Sequence, residues 1–318
     1  MFDMVTFGSN VIDLFVNTDL HEKGRKMYYE IGSKLLIKDL KEDIGGGGTN
    51  TAVAFSRLGL KTAYIGKTGK DSNGDKILKL LKKEKISFLG KRVGLTGLSI
   101  ILDSKEHDRT ILTYKGVNND LKFNEIKIPQ TKWLYYSSLL GESFKTQLKL
   151  AKLLIKKGTK LALNPSHYQI KQNPKKLYSL LRLSTILILN KEETKLLTKN
   201  KSLLTGLHKL GPKIVCITNR DKPTTCYDGK KIYSIKPHKN IKVVERTGAG
   251  DAFASGFVAG FIKTHNIKKS LEIGLKNSES VIRYFGAKNK LLYWKDVKYN
   301  IKKKSIIPCI RSGIRTRS

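Results

Sequence analysis

Asp251 follows the small-residue run Thr247-Gly248-Ala249-Gly250 and precedes the apolar stretch Ala252 to Phe257. An acidic side chain therefore stands at the expected first turn of a helix, directly behind a tight loop. Small residues let backbone NH groups crowd around an anion, the unsatisfied NH groups and dipole of a helix start favour negative charge, and a carboxylate there can hold a substrate hydroxyl. Those are the requirements of phosphoryl transfer. The plainer reading is a strand-to-helix turn with an acidic residue after it. A second glycine run, Gly45 to Gly48, leads through Thr49 and Asn50 into another small-residue and apolar stretch far upstream. Asn50 would sit on the first turn of that helix, where its amide can both donate and accept. Two such runs suggest two ligand groups.

Hydrophobic periodicity shows what must carry them. Strands are expected at residues 4–7, 62–65, 133–137, 160–163, 186–189 and 214–217, and helices at 50–58, 71–83, 145–157 and from Asp251 onward. Strand-length apolar runs separated by helical stretches predict a mostly parallel sheet covered on both faces. Ligands of such sheets bind outside the carboxyl ends of the strands, where Asn164, Asn190, Thr218 and Thr247 fall. Two stretches break the alternation: residues 12–16 with 27–37, and 98–101 with 110–114, are β-like without a helix between. They read as a small β lid, with Arg109 and Tyr114 as its candidate contacts. Closing such a lid would keep water from competing with an acceptor hydroxyl.

Taken together, four motifs resemble those of the ribokinase-like sugar kinases of the PfkB carbohydrate kinase family, in the family's order, from about residue 4 to about residue 300. Gly8-Ser9-Asn10 followed by Asp13 resembles the first-strand motif whose acid binds substrate hydroxyls, and Gly45-Gly46 with Gly48 and Asn50 resembles the sugar-binding loop. Asn190 and Glu193 match the Asn-x-x-Glu motif around magnesium and phosphate. Thr247 to Asp251 matches the anion hole and catalytic base.

The resemblance implies an α/β fold, a ribokinase-like three-layer αβα sandwich with a small β lid from about 12–38 and 97–115, forming one kinase domain over 1–304. It implies transfer of the γ-phosphate of ATP, as its Mg2+ complex, to a hydroxyl of a small sugar or sugar derivative. Asp251 would accept the hydroxyl proton while the NH groups of Gly248, Ala249 and Gly250 hold the phosphoryl charge. Asp13, Gly46, Gly48, Asn50 and Arg109 would bind the acceptor; Asn190, Thr218, Thr247 and Asn277 the nucleotide; and Asn190 and Glu193 would hold the metal through water. A nucleoside kinase of the same family, and a noncatalytic sugar- or nucleotide-binding protein, are the alternatives. Acceptor identity, ATP against ADP as donor, and a homodimer formed through the lid are left open.

Two departures from the family pattern stand out. Glu245-Arg246-Thr247 replaces Asp-Thr-Thr, which lengthens a carboxylate, adds a cation and leaves a monovalent-cation site open. Thr218-Asn219-Arg220-Asp221-Lys222-Pro223 lacks both glycines of the loop expected over the nucleotide. Arg220 and Lys222 could contact phosphate as point charges, or mark a weakened enzyme.

Composition narrows the class. In 318 residues, 62 Lys plus Arg against 26 Asp plus Glu give a formal charge of +36, which attracts polyanions at low salt. The lysines are scattered as a solvated face, as at Lys76, Lys79, Lys82 and Lys83, and no nucleic-acid motif accompanies them, so no specific nucleic acid is expected. No run suggests a membrane span or signal peptide, and the expected location is cytoplasmic. Three cysteines form neither a zinc site nor a disulfide framework, and Cys216 reads as a core strand residue. Gly66-Lys67-Thr68 imitates the end of a P-loop without its first glycine, and His107, His167, His208, His238 and His265 read as surface residues. Residues 305–318 read as a basic tail; Gly313 to Arg317 can be encoded by the antisense of a tRNA T-arm, which suggests a frame running into a tRNA gene, with an RNA-touching tail as the rival.

Overall fold

The computed structural model describes residues 1–18, 24, 26–103, 109–172 and 174–297, so the expected tail and His107 lie outside the described residues. In chain order the strands are β1 (Phe2–Phe7), β2 (Val11–Asn17), β3 (Asp39–Gly45), β4 (Thr62–Ile65), β5 (Lys67–Thr68), β6 (Ser87–Phe88), β7 (Lys91–Arg92), β8 (Gly97–Asp103), β9 (Arg109–Tyr114), β10 (Thr131–Ser137), β11 (Lys160–Asn164), β12 (Ile186–Asn190), β13 (Ile214–Thr218), β14 (Thr224–Tyr227) and β15 (Ile232–Ile235). Nine of them form one sheet in the order β15-β14-β13-β12-β11-β10-β1-β4-β6. Pairing is parallel from β6 to β13 and antiparallel only at the β13-β14-β15 edge.

Side-chain alternation along the strands feeds two cores. Trp133, Tyr135, Ile186, Ile188 and Cys216 point to one face, where they meet the helices Gly47–Arg57, Ala249–Thr264 and Ile267–Val281. Leu134, Tyr136, Leu187, Leu189 and Val215 point to the other and meet the helix Gly141–Ile155 and the short helices around it. A sheet buried on both faces accounts for strands that read as continuous apolar runs rather than alternating ones. The helix Ala249–Thr264 is itself buried from Ala252 to Gly260, which fixes Asp251 one step outside the core.

Local signals set several boundaries. Asp71 caps the helix Ser72–Lys83, its Oδ1 accepting from Gly74 N at 2.7 Å, as a short acidic side chain does for orphan helix NH groups. The expected lid is a four-stranded sheet in the order β3-β2-β8-β9. Its first half corrects the sequence reading: residues 27–37 carry no strand, and β3 begins at Asp39. The seven-residue pairing of β3 with β2, from Val11↔Gly45 to Asn17↔Asp39, supplies backbone partners that a charged sequence does not advertise. Lys67, in the P-loop-like triplet, is 7% exposed and held by Glu125 at 2.9 Å, so it serves a buried ion pair. Among the described residues no helix is long and apolar enough to cross a membrane.

Candidate active site

The strand order reverses direction at β1, and the carboxyl ends of β1, β10, β11, β12 and β13 open there into a cleft of about 380 Å³, the place where open α/β sheets hold ligands. The cleft brings together Asp13, Gly46, Asn190, Glu193, Thr218, Gly250 and Asp251 from five separate parts of the chain. Each owes its position to a local device.

Gly248 precedes the helix Ala249–Thr264 with φ 79°, in the left-handed region, and a Cβ there would lie 2.4 Å from Ala287 Cβ. Only glycine makes this turn without strain. The Ala249 NH, expected in the anion hole, donates to Arg246 O at 3.2 Å. The amides of Gly248 and Gly250 have no protein acceptor among the described residues, and a Cβ built on Gly250 meets nothing within 4 Å. Open space and an unused NH group at Gly250 thus adjoin Asp251 on the cleft wall. Burial raises the Asp251 pKa above its usual value, while a hydrogen bond from Asn50 and the charge of Lys288 oppose that shift.

Gly48 is a packing residue: a Cβ there would approach the Gly8 carbonyl carbon to 2.6 Å, and its NH donates to Ser9 O at 3.0 Å. That close approach clamps the helix Gly47–Arg57 onto the end of β1 and delivers Asn50 to the site. Asn50 Nδ2 donates to Asp251 Oδ2 at 2.9 Å, and its Oδ1 accepts from Lys288 Nζ at 2.8 Å. Asp13, on β2, is 7% exposed, and burial pushes its pKa up to about 6 against the pull of Lys288 and Ser99.

Asn190 and Glu193 form a reciprocal helix cap. Glu193 N donates to Asn190 Oδ1 at 2.8 Å, Asn190 N donates to Glu193 Oε2 at 2.9 Å, and His167 N donates to Glu193 Oε1 at 3.1 Å. The Asn-x-x-Glu spacing therefore has a structural reason of its own, and it leaves a buried carboxylate, with its pKa raised by burial, on the cleft wall. Thr218 ends β13 at the cleft. In the loop beyond it Arg220 takes φ 38°, a left-handed conformation that glycine adopts most readily. Thr247 N and Oγ1 both donate to Glu245 Oε1 at 2.7 Å, which turns the longer carboxylate onto its own loop.

Asn277 is not brought to the cleft. It is fully buried, with Nδ2 bonded to Ala252 O at 2.7 Å and Oδ1 accepting from Leu292 N at 3.0 Å, so both ends of its amide serve to fasten two helices and the following loop. Arg109 begins β9, but its side chain lies outside the described residues. His208, read as a surface residue, packs edge-on against Tyr227. Sequence reasoning missed Lys115 and Tyr168, which line the cleft, and Lys288, which stands behind it. Nothing marks those lysines out among 62 basic residues; only the contacts do.

Comparison with known proteins bears on the family and the fold. The chain matches the description "pfkB family carbohydrate kinase" over residues 1–293. It is 27% identical over 310 residues to a 5-dehydro-2-deoxygluconokinase of Clostridium perfringens, covering 88% of this chain and 87% of that one. It is also 27% identical over 305 residues to a cytidine kinase of Thermococcus kodakarensis, covering 90% and 98%. A ribokinase structure from Thermotoga maritima shares the fold with a TM-score of 0.79 at 19% identity, over 93% of this chain and 98% of that one.

Proposed function

Because the chain belongs to the pfkB family of carbohydrate kinases and is a phosphotransferase acting on a hydroxyl group, we propose that it transfers the γ-phosphoryl group of ATP to a hydroxyl of a small sugar derivative, with Asp251 as general base. The carrying observation is the Asp251 carboxylate held by Asn50 at one oxygen, beside the open space at Gly250 and the unused NH groups of Gly248 and Gly250. The acceptor hydroxyl gives its proton to Asp251 as its oxygen bonds to the γ-phosphorus, and the bond from that phosphorus to the bridging oxygen breaks, releasing ADP. The protein's contribution is then placement and charge stabilisation. Among the described residues no three His, Cys, Asp or Glu side chains cluster as a metal site. Asn190 and Glu193, on the cleft wall, would hold a Mg2+ ion brought in on the nucleotide phosphates through its water shell. The metal would neutralise phosphate charge.

Lys115 supports an acceptor that carries an anionic group. Among the described residues it is the one basic residue lining the cleft, its Nζ lies 4.5 Å from the centre of the Tyr168 ring, and burial lowers its pKa. No carboxylate pairs with it among the described residues, and a desolvated cation gains most from an anionic ligand. The Clostridium relative is named for a derivative of gluconate, a sugar acid. A nucleoside acceptor is the second reading, favoured by the Tyr168 ring as a surface for a base and by the cytidine kinase relative. Assaying ATP turnover with neutral sugars, sugar acids and nucleosides separates them. Lys115→Met is expected to raise the KM for a sugar acid by about 10- to 100-fold, with the KM for ATP unchanged; an unaltered acceptor KM, or nucleosides as the preferred acceptors, removes the anionic reading.

Asp13 adds a pH dependence. An acid that accepts hydrogen bonds from acceptor hydroxyls must be ionised, so the acceptor KM is expected to climb as pH falls through about 6. Folding runs the other way: between the usual aspartate value of 3.8 and about 6 the folded chain keeps a proton that the unfolded chain has lost, so this group's contribution to stability falls as pH rises across that window. In Asp13→Asn the steep part of the KM–pH curve is expected to vanish; persistence of the wild-type curve would assign it to another group.

A further inference from the structure

Lys288 is 5% exposed and touches neither the acceptor nor the phosphates in the transfer step proposed for Asp251. Its ammonium donates to Asn50 Oδ1 at 2.8 Å, and the other end of that amide donates to Asp251 Oδ2 at 2.9 Å. A lysine ammonium can only donate, so Asn50 must present its oxygen to Lys288 and its NH2 to Asp251. The chain of contacts has one polarity. It also has one destination, because with Oδ2 engaged, Asp251 Oδ1 is the oxygen near the cleft: a Cβ built on the cleft-lining Gly47 would lie 3.5 Å from it.

The backbone around Lys288 is fixed independently. Lys288 O accepts from Arg57 Nη1 at 2.9 Å, and Arg57 is ion-paired with Glu84. Burial lowers the Lys288 pKa, and the charges of three carboxylates on three elements, Asp43 of β3, Asp13 of β2 and Asp251 of the helix Ala249–Thr264, oppose that shift, while the cation Arg57 adds to it. Asp251 in turn faces Lys288 and acts on Asp13, Glu193, Tyr135 and Tyr168. Burying a lone ammonium is costly, so its retention here requires those opposite charges.

We propose that Lys288 is a positioning residue for phosphoryl transfer, which acts through Asn50 to fix the Asp251 carboxylate with Oδ1 toward the acceptor and to keep that carboxylate ionised in a buried site. This rests on Asp251 being the base. Burial alone favours the protonated acid, which cannot take a proton from the acceptor, and the Asn50 hydrogen bond and the Lys288 charge are the two influences that oppose it.

The test is the pH profile of kcat/KM for the acceptor in wild type, Lys288→Met, Lys288→Gln and Lys288→Arg. Loss of the charge in the Met and Gln variants is expected to move the acid limb upward by about one pH unit, a tenfold loss of activity at low pH that recovers toward pH 9. The Arg variant, which keeps charge and donors, is expected to hold the limb within about 0.3 units of wild type. Lys288→Gln retains a donor for Asn50, so a folded neutral variant remains if the Met variant does not fold. A lowered melting temperature with an unmoved acid limb would make Lys288 purely structural and overturn the proposal. Asp251→Asn is assayed in parallel: full activity there overturns the base assignment itself, whereas an inactive Asp251→Asn with an unmoved limb in Lys288→Gln overturns only the role of Lys288.

Discussion

Asp251→Asn is expected to lose about 10²- to 10⁴-fold in kcat, the usual contribution of a positioned general base, while acceptor affinity stays within a few-fold of wild type. The substitution preserves shape, and its amide oxygen can still accept from Asn50 Nδ2, which lies 2.9 Å from Asp251 Oδ2 in the wild type. What disappears is the lone pair that takes the hydroxyl proton. Two effects on stability oppose each other: the variant has no carboxylate charge to desolvate, but it takes from the buried Lys288 ammonium one of its opposite charges, so a melting temperature at or modestly below that of the wild type is expected. Steady-state kinetics, calorimetric acceptor binding and a melting curve check the three parts. A variant with wild-type kcat would remove the base, and one that binds acceptor much more weakly would make Asp251 a binding group instead.

The two glycines flanking Ala249 are expected to separate stability from turnover. At Gly248 the left-handed φ of 79° and a Cβ only 2.4 Å from Ala287 Cβ combine backbone strain with overpacking. Gly248→Ala is therefore expected to cost about 2–4 kcal/mol of stability, read as a clear drop in melting temperature. At Gly250 a methyl group meets nothing within 4 Å, so Gly250→Ala is expected to fold and melt like wild type. Its methyl would occupy space kept for the transferring phosphoryl group, and a displacement of about 1 Å there costs about 10²-fold in turnover. Equal activity in Gly250→Ala and wild type would mean that the phosphoryl group passes elsewhere. A normal melting temperature in Gly248→Ala would mean that the loop relaxes around the added methyl.

The parts of this site that were legible in the sequence are those whose determinants are local. The strand Ile186–Asn190 and the helix Ala249–Thr264 announce themselves because their apolar runs are continuous and their ends carry Asn190 and the glycine loop. Gly248 and Asp251 follow from what a turn and a helix start require. The strand Asp39–Gly45 was missed because its order comes from pairing with β2 rather than from its own pattern of Asp-Leu-Lys-Glu-Asp-Ile-Gly. Residues 27–37 misled in the opposite sense: Tyr28, Ile31 and Leu36 favour strands yet are exposed and unpaired in any ladder. Asn277 was assigned by resemblance alone, and its buried hydrogen bonds to Ala252 O and Leu292 N show a packing role. Lys115 and Lys288 could not be separated from the general lysine excess, since what distinguishes them is burial and contact across long sequence distances.

The most direct test of Asp251 as the base of a hydroxyl-phosphorylating enzyme is the product formed from magnesium ATP and a panel of sugars, sugar acids and nucleosides, followed by phosphorus NMR and mass spectrometry, with Asp251→Asn as the blank. One acceptor class is expected to gain a single phosphate ester while ATP becomes ADP, with no ester above background in the variant. An ester formed equally well by Asp251→Asn, or ATP hydrolysed without any acceptor being phosphorylated, would contradict that role.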